Sequence, residues 1–132
     1  MRVNTTGITR TVFIFKNFVV KVPALRWSYN IWYCFLRGLC ANIEESRTWK
    51  IFIVHEPEKA LLLCPVIWCS YGGWILIMKK ADVEKWVKES ELLNWSYVAH
   101  INAGIGGDDK PDNYGYYENR LVKIDYPAVL KY

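Results

Sequence analysis

The sequence lacks the paired cysteine motifs that mark small zinc-binding or disulfide-bonded proteins. Its four cysteines, Cys34, Cys40, Cys64 and Cys69, show neither CxxC nor CxxxC spacing, and such spacings are typical of metal and redox sites. Each cysteine lies within an apolar run, where a reduced thiol behaves as a small hydrophobic side chain. We therefore expect reduced, buried thiols rather than zinc ligands or disulfides.

Strongly basic segments are also missing. Lysine and arginine number 17 against 13 acidic residues, so the net charge is +4, and no basic run exceeds two residues. This charge suits an anionic small ligand, and without a nucleic-acid-binding motif we expect no RNA or DNA partner. His55 and His100 have no partner cluster in the sequence, and we interpret them as structural or surface residues.

The first ten residues are polar and contain no apolar segment of the kind found in signal peptides. We therefore expect a cytoplasmic protein. Residues 60–78 carry no charge over nineteen positions, which is long enough to suggest a membrane span. Pro65 and the Ser-Tyr-Gly-Gly run at 70–73 argue against a span. We predict instead two buried strands, Ala60–Cys69 and Trp74–Met78, joined by that turn, and no membrane contact.

The amino-terminal half predicts a hairpin followed by a helix. Thr11–Phe15 and Phe18–Val22 are β-branched and aromatic runs separated by two turn residues. Lys21 lies within the second run, and a lysine in an apolar strand needs a carboxylate or phosphate partner unless it lies on a solvated edge. Pro23 ends this strand. A helix is predicted at about Tyr29–Lys50.

An apolar stripe at spacings of three and four supports the helix and consists of Leu36, Leu39, Cys40, Ile43 and Arg47. Glu44 and Glu45 follow one another in mid-helix, and either would serve as an ion-pair partner of Lys21. We favour Glu45 because it shares a helix face with Asn42 and Trp49, at i, i+3 and i+7. Adjacent positions on a helix cannot be distinguished further from sequence, so Glu44 stays open.

Two further helices are predicted before residue 103. Asp82 would cap a helix over residues 82–95, with Val83, Trp86 and Val87 on its buried face. A second short helix is expected at about Leu93–Asn102.

Three oxygen-donor side chains mark the carboxy-terminal part. Asn113 follows Asp108 by five residues and Asp125 follows Asn113 by twelve. Residues 116–120 read as a turn, and Leu121–Ile124 has strand composition, so a hairpin would return Asp125 to the neighbourhood of Asn113. A carboxylate and an amide are hard oxygen ligands of the kind Mg²⁺ takes from proteins. This pattern indicates phosphoryl transfer, in which positioning and charge neutralisation supply most of the catalysis.

The run Asp108-Asp109-Lys110-Pro111-Asp112-Asn113 resembles the catalytic loop of protein kinases. Asp125-Tyr126-Pro127 falls where that family has Asp-Phe-Gly. The resemblance implies that Asp108 is the catalytic base, that Lys110 contacts the transferring phosphate, and that Asn113 and Asp125 bind Mg²⁺. The chain departs from the family pattern at Gly106-Gly107, which replace His-Arg, and at Tyr126-Pro127. Because proline fixes φ, we do not expect the Asp-Phe-Gly flip of regulated kinases.

The resemblance extends to the amino-terminal half. It implies that Lys21 contacts the α- and β-phosphates of ATP and pairs with Glu45. The segment Met78–Ala81 would be the hinge whose backbone binds adenine, with Met78 and Lys80 as its contacts. The glycine-rich loop is poorly represented, since only Gly7 precedes the first predicted strand, although Arg10 would add charge near the phosphates.

These expectations combine into an α+β, minimal kinase-like fold with a small antiparallel-sheet lobe, one main helix and a much reduced carboxy-terminal lobe. We draw one domain over residues 1–132, divided into 1–80 and 81–132. Only seven residues follow Asp125, so the family's peptide-docking helices are not expected. Such a compact chain resembles small phage-encoded proteins, which would place it in the host cytoplasm.

Two functions follow from the resemblance. The first is transfer of the γ-phosphate of ATP-Mg to a hydroxyl of a protein or small molecule. The alternative is a catalytically degenerate kinase-like binding module that regulates a partner protein, for example a host protein. The sequence predicts no oligomeric state.

Overall fold

A computed structural model describes residues 2–4, 9–25, 30–98 and 113–126. The elements of this part are, in chain order, β1 Arg2–Asn4, β2 Arg10–Ile14, β3 Phe18–Pro23, α1 Ile31–His55, α2 Pro57–Ala60, β4 Val66–Cys69, a 3₁₀ turn Tyr71–Gly73, β5 Leu76–Lys79, α3 Glu89–Val98, β6 Tyr114–Tyr117 and β7 Arg120–Lys123. The α+β class is confirmed. The chain divides into two compact units, residues 1–47 with 66–80 and residues 48–65 with 81–132.

The first unit contains a five-stranded antiparallel sheet with the order β1-β2-β3-β5-β4. The predicted hairpin is confirmed, since β2 pairs with β3 and Val12 lies opposite Lys21. Stacked Phe15 and Phe18 rings, 4.7 Å apart, flank the turn. β1 was not predicted because its three exposed residues carry no apolar run.

Helix α1 begins at Ile31. The side-chain oxygen of Asn30 accepts a hydrogen bond from the backbone N–H of Tyr33 at 3.1 Å, so Asn30 caps the amino-terminal end of the helix. It ends at His55, five residues later than predicted. Pro57 follows, and the residue before a proline disfavours helical geometry. The helix is therefore confirmed, with a later end.

The stripe of apolar residues on α1 does not face the sheet. Leu36 and Ile43 are exposed, whereas the buried positions of the helix include Asn42, Glu45 and Ser46. An amphipathic helix of a soluble protein ordinarily buries its apolar face. Here the buried positions include Cys34 and Phe52 as well, and Asn42 and Glu45 are buried because they meet charged groups on β2 and β3.

The prediction of two buried strands at residues 60–78 is partly wrong. β5 begins at Leu76 rather than Trp74, and within it only Leu76 and Met78 are buried, while Trp74 is exposed. β4 begins only at Val66, and residues 57–60 are helical. Ile67 and Trp68 on β4 are exposed, because β4 is an edge strand of its sheet. The predicted turn is present and includes Gly72 and Gly73, both with positive φ.

Gly73 holds this turn against α1. A Cβ atom there would lie 2.4 Å from the carbonyl oxygen of Leu39 and 2.8 Å from Cγ1 of Ile43, and φ is +78°. We expect Gly73→Ala to lower the free energy of unfolding by about 2 kcal/mol or more, because left-handed strain and overpacking add. Urea denaturation measures it. Gly72→Ala is the matched control, since φ is similar at +82° but the Cβ would approach only the Trp74 side chain. Equal losses in the two variants would contradict the close contact.

In the second unit, the predicted helix at residues 82–88 is wrong. Asp82 forms an antiparallel bridge with Tyr116, and its carboxylate accepts the N–H groups of Glu84 and Lys85 at 3.0 and 3.2 Å. Val83 and Trp86, predicted as buried, are exposed. The described helix spans Glu89–Val98, so it covers the end of the first predicted helix and the start of the second; residues 99–102 of the second prediction lie outside the described residues.

The second predicted hairpin is confirmed. β6 and β7 pair antiparallel with Tyr114 opposite Lys123, and the turn residues Glu118 and Asn119 have positive φ. Leu63 bridges to Lys123 in parallel, and the Trp95 indole donates to the Leu62 carbonyl at 2.9 Å.

The cysteine prediction is confirmed only in part. Cys34 and Cys64 are buried, whereas Cys69 is half-buried and Cys40 is exposed on α1. Over the described ranges, no helix combines the length and the apolar character that crossing a membrane requires.

Candidate functional site

The first unit places Lys21 and Glu45 in direct contact. Lys21 Nζ lies 3.0 Å from Oε2 and 3.3 Å from Oε1 of Glu45, and both side chains are almost completely buried. Strand β3 presents the lysine and α1 presents the glutamate. The open choice between the two glutamates is thereby answered in favour of Glu45, since Glu44 is only half-buried.

Arg10 joins the same carboxylate from the adjacent strand. Its Nη2 lies 2.6 Å from Oε1 of Glu45, and its Nη1 donates to Oδ1 of Asn42 at 3.2 Å. The resemblance implies that Arg10 adds charge near the phosphates of ATP. In the structure its guanidinium is buried and bonded to Glu45 and Asn42. β2 positions it, because Arg10 is the first residue of that strand and lies opposite Pro23.

Asn42 completes the arrangement one helical turn before Glu45. Its amide nitrogen donates to the carbonyl oxygens of Lys21 at 3.1 Å and Gly73 at 2.9 Å. We call Arg10, Lys21, Asn42 and Glu45 the charge cluster. The sequence predicts that Asn42 shares a helix face with Glu45, but it indicates no role for Asn42. The feature that could have indicated one is a polar residue three positions before an acidic residue that is expected to be buried.

The charge cluster is costly to bury and must be well bonded. Desolvating an ion pair costs several kcal/mol per ion, and only good geometry with further hydrogen bonds offsets this. In the described part of the chain, every buried side-chain nitrogen or oxygen has a hydrogen-bond partner. The cluster therefore fixes the position of the Lys21 ammonium within the sheet.

The second unit brings Asn113 and Asp125 to the same end of the β6–β7 hairpin. The Ile124 N–H donates to the Asn113 carbonyl at 2.8 Å, one residue beyond the Tyr114–Lys123 pair. Asp125 is half-buried. The hairpin thus returns the chain as the sequence predicted. Asp108 and Lys110 lie outside the described residues.

The residue that follows Asp125, Tyr126, is anchored within the second unit. Its ring is buried, and its hydroxyl donates to the carbonyl of Cys64 at 2.8 Å. Rotating this side chain outward would expose a large aromatic ring and break a buried hydrogen bond. The Asp125-Tyr126 segment is therefore held in place by the packing of this ring and by its hydrogen bond.

Met78 and Lys80, the predicted adenine contacts, lie at the carboxy-terminal end of the first unit. Met78 is buried in β5, opposite Val19 on β3 and Val66 on β4. The N–H of Lys80 donates to the Asn17 carbonyl at 3.3 Å. The chain leaves the first unit after Lys80.

A second polar group, not predicted from sequence, surrounds Tyr116. Its hydroxyl donates to Glu91 at 2.5 Å, and this bond raises the pKa of Tyr116, with burial adding to the effect. Lys85 Nζ lies 4.5 Å from the ring centroid, a cation–π distance. The bond to Glu91 connects α3 to β6, and the Lys85 contact connects the segment before α3 to the same strand.

Neither a cluster of metal-binding side chains nor a similar protein identifies the function of this site. Within the described residues, no three or more histidine, cysteine, aspartate or glutamate side chains group together. The predicted pair Asn113 and Asp125 would offer one amide and one carboxylate oxygen, a donor set that suits Mg²⁺ better than a softer metal. No protein-family model matches the sequence, and no curated protein shows significant similarity to it.

Proposed function

We propose that this protein is a minimal kinase-like phosphotransferase, which binds ATP-Mg and transfers the γ-phosphate to a hydroxyl of a protein or small molecule. The observation that carries the proposal is the buried pair between Lys21 on the third strand and Glu45 on the following helix. In protein kinases a lysine on the third strand pairs with a glutamate of the next helix, and this pair must form for activity.

The charge cluster supports a phosphate-binding role for Lys21. A lysine ammonium is a compact charge with three donors, and Glu45 holds it in one place. Because an ammonium fixed in advance loses less entropy when it binds a phosphate, this arrangement favours binding and charge neutralisation. Arg10 and Asn42 act indirectly, since Arg10 positions the Glu45 carboxylate and Asn42 positions Arg10 and the backbone of Lys21.

Asn113 and Asp125 supply the oxygen ligands for Mg²⁺ under the same proposal. The β6–β7 hairpin sets their backbone positions, and Tyr126 holds the Asp125 segment in place. When bound, Mg²⁺ would neutralise charge on the β- and γ-phosphates. The resemblance assigns the orientation of the acceptor hydroxyl to Asp108 and a contact with the transferring phosphate to Lys110.

A thermal-shift assay with ATP and Mg²⁺ tests nucleotide binding. At tens of times the Kd, we expect stabilisation by about 2 kcal/mol, seen as a rise in Tm of about 5–10 °C. Lys21→Met is expected to lose most of this rise, whereas Lys50→Met, at an exposed position of α1, retains it. A flat response of the wild type would contradict the proposal and leave the binding-module alternative.

A further inference from the structure

We propose that α1 is also a self-association surface, on which the helix pairs antiparallel with α1 of a second copy. The surface consists of Tyr33, Leu36, Cys40, Ile43 and Arg47, which we call the outer stripe. It lies on the side of α1 opposite the charge cluster and needs no nucleotide. The inference therefore does not rest on the proposed function.

The outer stripe has the spacing of a coiled-coil seam. Its residues follow one another at intervals of three, four, three and four, which are the a and d positions of a heptad. The side chains of Tyr33, Leu36 and Ile43 are 60%, 56% and 41% exposed. Cys40 is exposed as well. An apolar seam of this kind on a helix whose other face is already packed leaves room for a partner helix.

Neighbouring aromatic residues widen the surface. Trp32 is 71% exposed and Trp74 is 54% exposed, and the Trp74 ring packs against Phe35 of α1 at 5.3 Å. Together with the outer stripe they expose apolar area on the order of 500 Å² per copy, which is half of the roughly 1,000 Å² that a specific interface should at least bury in total. Two copies would meet that requirement, and tryptophan, tyrosine and arginine are enriched at interfaces.

The charges beside the outer stripe select an antiparallel second copy. Arg37 and Glu44 each follow a d position and so occupy e positions, which lie next to the e positions of an antiparallel partner. In the register that places Cys40 against Ile43 of the other helix, Arg37 of each copy faces Glu44 of the other. The twofold axis makes two such ion pairs.

Other arrangements are less favourable. Shifting the register by seven residues in one direction places Arg37 against Arg37, and in the other direction Glu44 against Glu44. A parallel pair would place Arg47 against Arg47 in the seam and would leave Arg37 and Glu44 beside Trp32 and Leu39 of the partner helix. Like charges at such positions destabilise a pair, so the sequence favours one register.

Molar mass in solution tests the proposal directly. We expect the wild-type protein to show a concentration-dependent dimer by light scattering or sedimentation. Leu36→Glu is expected to raise the dimer Kd about 30-fold or more, with an unchanged circular dichroism spectrum. The control is Leu93→Glu, also at an exposed helical leucine, and it should leave the dimer intact.

A charge exchange tests the orientation. Arg37→Glu and Glu44→Arg, each alone, are expected to raise the Kd about tenfold, and the double variant should restore dimerisation to near the wild-type level. A wild-type protein that stays monomeric up to millimolar concentration would overturn the proposal. So would a dimer unaffected by Leu36→Glu, or a double variant no better than the single ones.

Discussion

Asp125→Asn is expected to lower the rate of phosphate transfer by about a hundredfold or more, and Lys21→Ala is expected to do the same. Each variant removes one fixed charge that would stabilise the phosphates during transfer, and losing a positioned electrostatic group has effects of this size. Turnover of labelled ATP, including autophosphorylation, measures the rate. Asparagine has nearly the same shape as aspartate. A lower transfer rate in Asp125→Asn would therefore result from the missing charge and not from altered packing.

Controls for this prediction use charges outside the proposed site. Asp82→Asn removes an exposed carboxylate that accepts two backbone N–H groups, a role the amide oxygen can keep. Lys50→Ala removes an exposed lysine. Both controls are expected to keep wild-type rates. If the Asp125 and Lys21 variants also kept them, the proposed mechanism would be wrong; ATP binding without any transfer would favour the binding module.

Glu45→Ala is expected to lower the free energy of unfolding by about 3–5 kcal/mol. The substitution removes the carboxylate that Lys21 and Arg10 both contact inside the first unit, and breaking a buried ion pair has a cost of this order. Because domains have a total stability of only about 5–15 kcal/mol, such a loss would be seen readily by urea denaturation.

Glu44→Ala is the matched control, since it removes the same side chain one residue away at a half-buried position. For the monomer, at protein concentrations below the dimer Kd, we expect a change within about 0.5 kcal/mol, typical of surface substitutions. Glu45→Gln should lie between the two, because the amide keeps the volume and part of the hydrogen bonding. Equal stability of the Glu44 and Glu45 variants would show that the charge cluster contributes nothing.

Local signals in the sequence predicted the two hairpins and the partner of Lys21. In each hairpin, short β-branched or aromatic runs flank turn residues, and neighbouring strands need little chain between them. Glu45 was predicted because a lysine within an apolar strand needs a carboxylate or phosphate partner, and because the kinase resemblance implies a glutamate on the next helix. The helix face that it shares with Asn42 and Trp49 favoured it over Glu44.

The errors occurred where distant contacts decide the structure. Asp82 looks like a helix cap, but its backbone pairs with Tyr116, a contact that no local pattern contains. The strand predicted from Ala60 begins later because the segment before it bonds to β7 through Cys64 and Lys123. The role of Arg10 was missed since its partners lie on α1, beyond β3.

Asn42 ties the turn after β4 to the backbone of Lys21, since one carboxamide donates to both Gly73 and Lys21. The two positions are thus thermodynamically linked across elements that are far apart in the chain. Substitutions at Gly73 and Lys21 should show non-additive effects in a double-mutant cycle. The position of the turn is accordingly constrained by the backbone of β3 at Lys21.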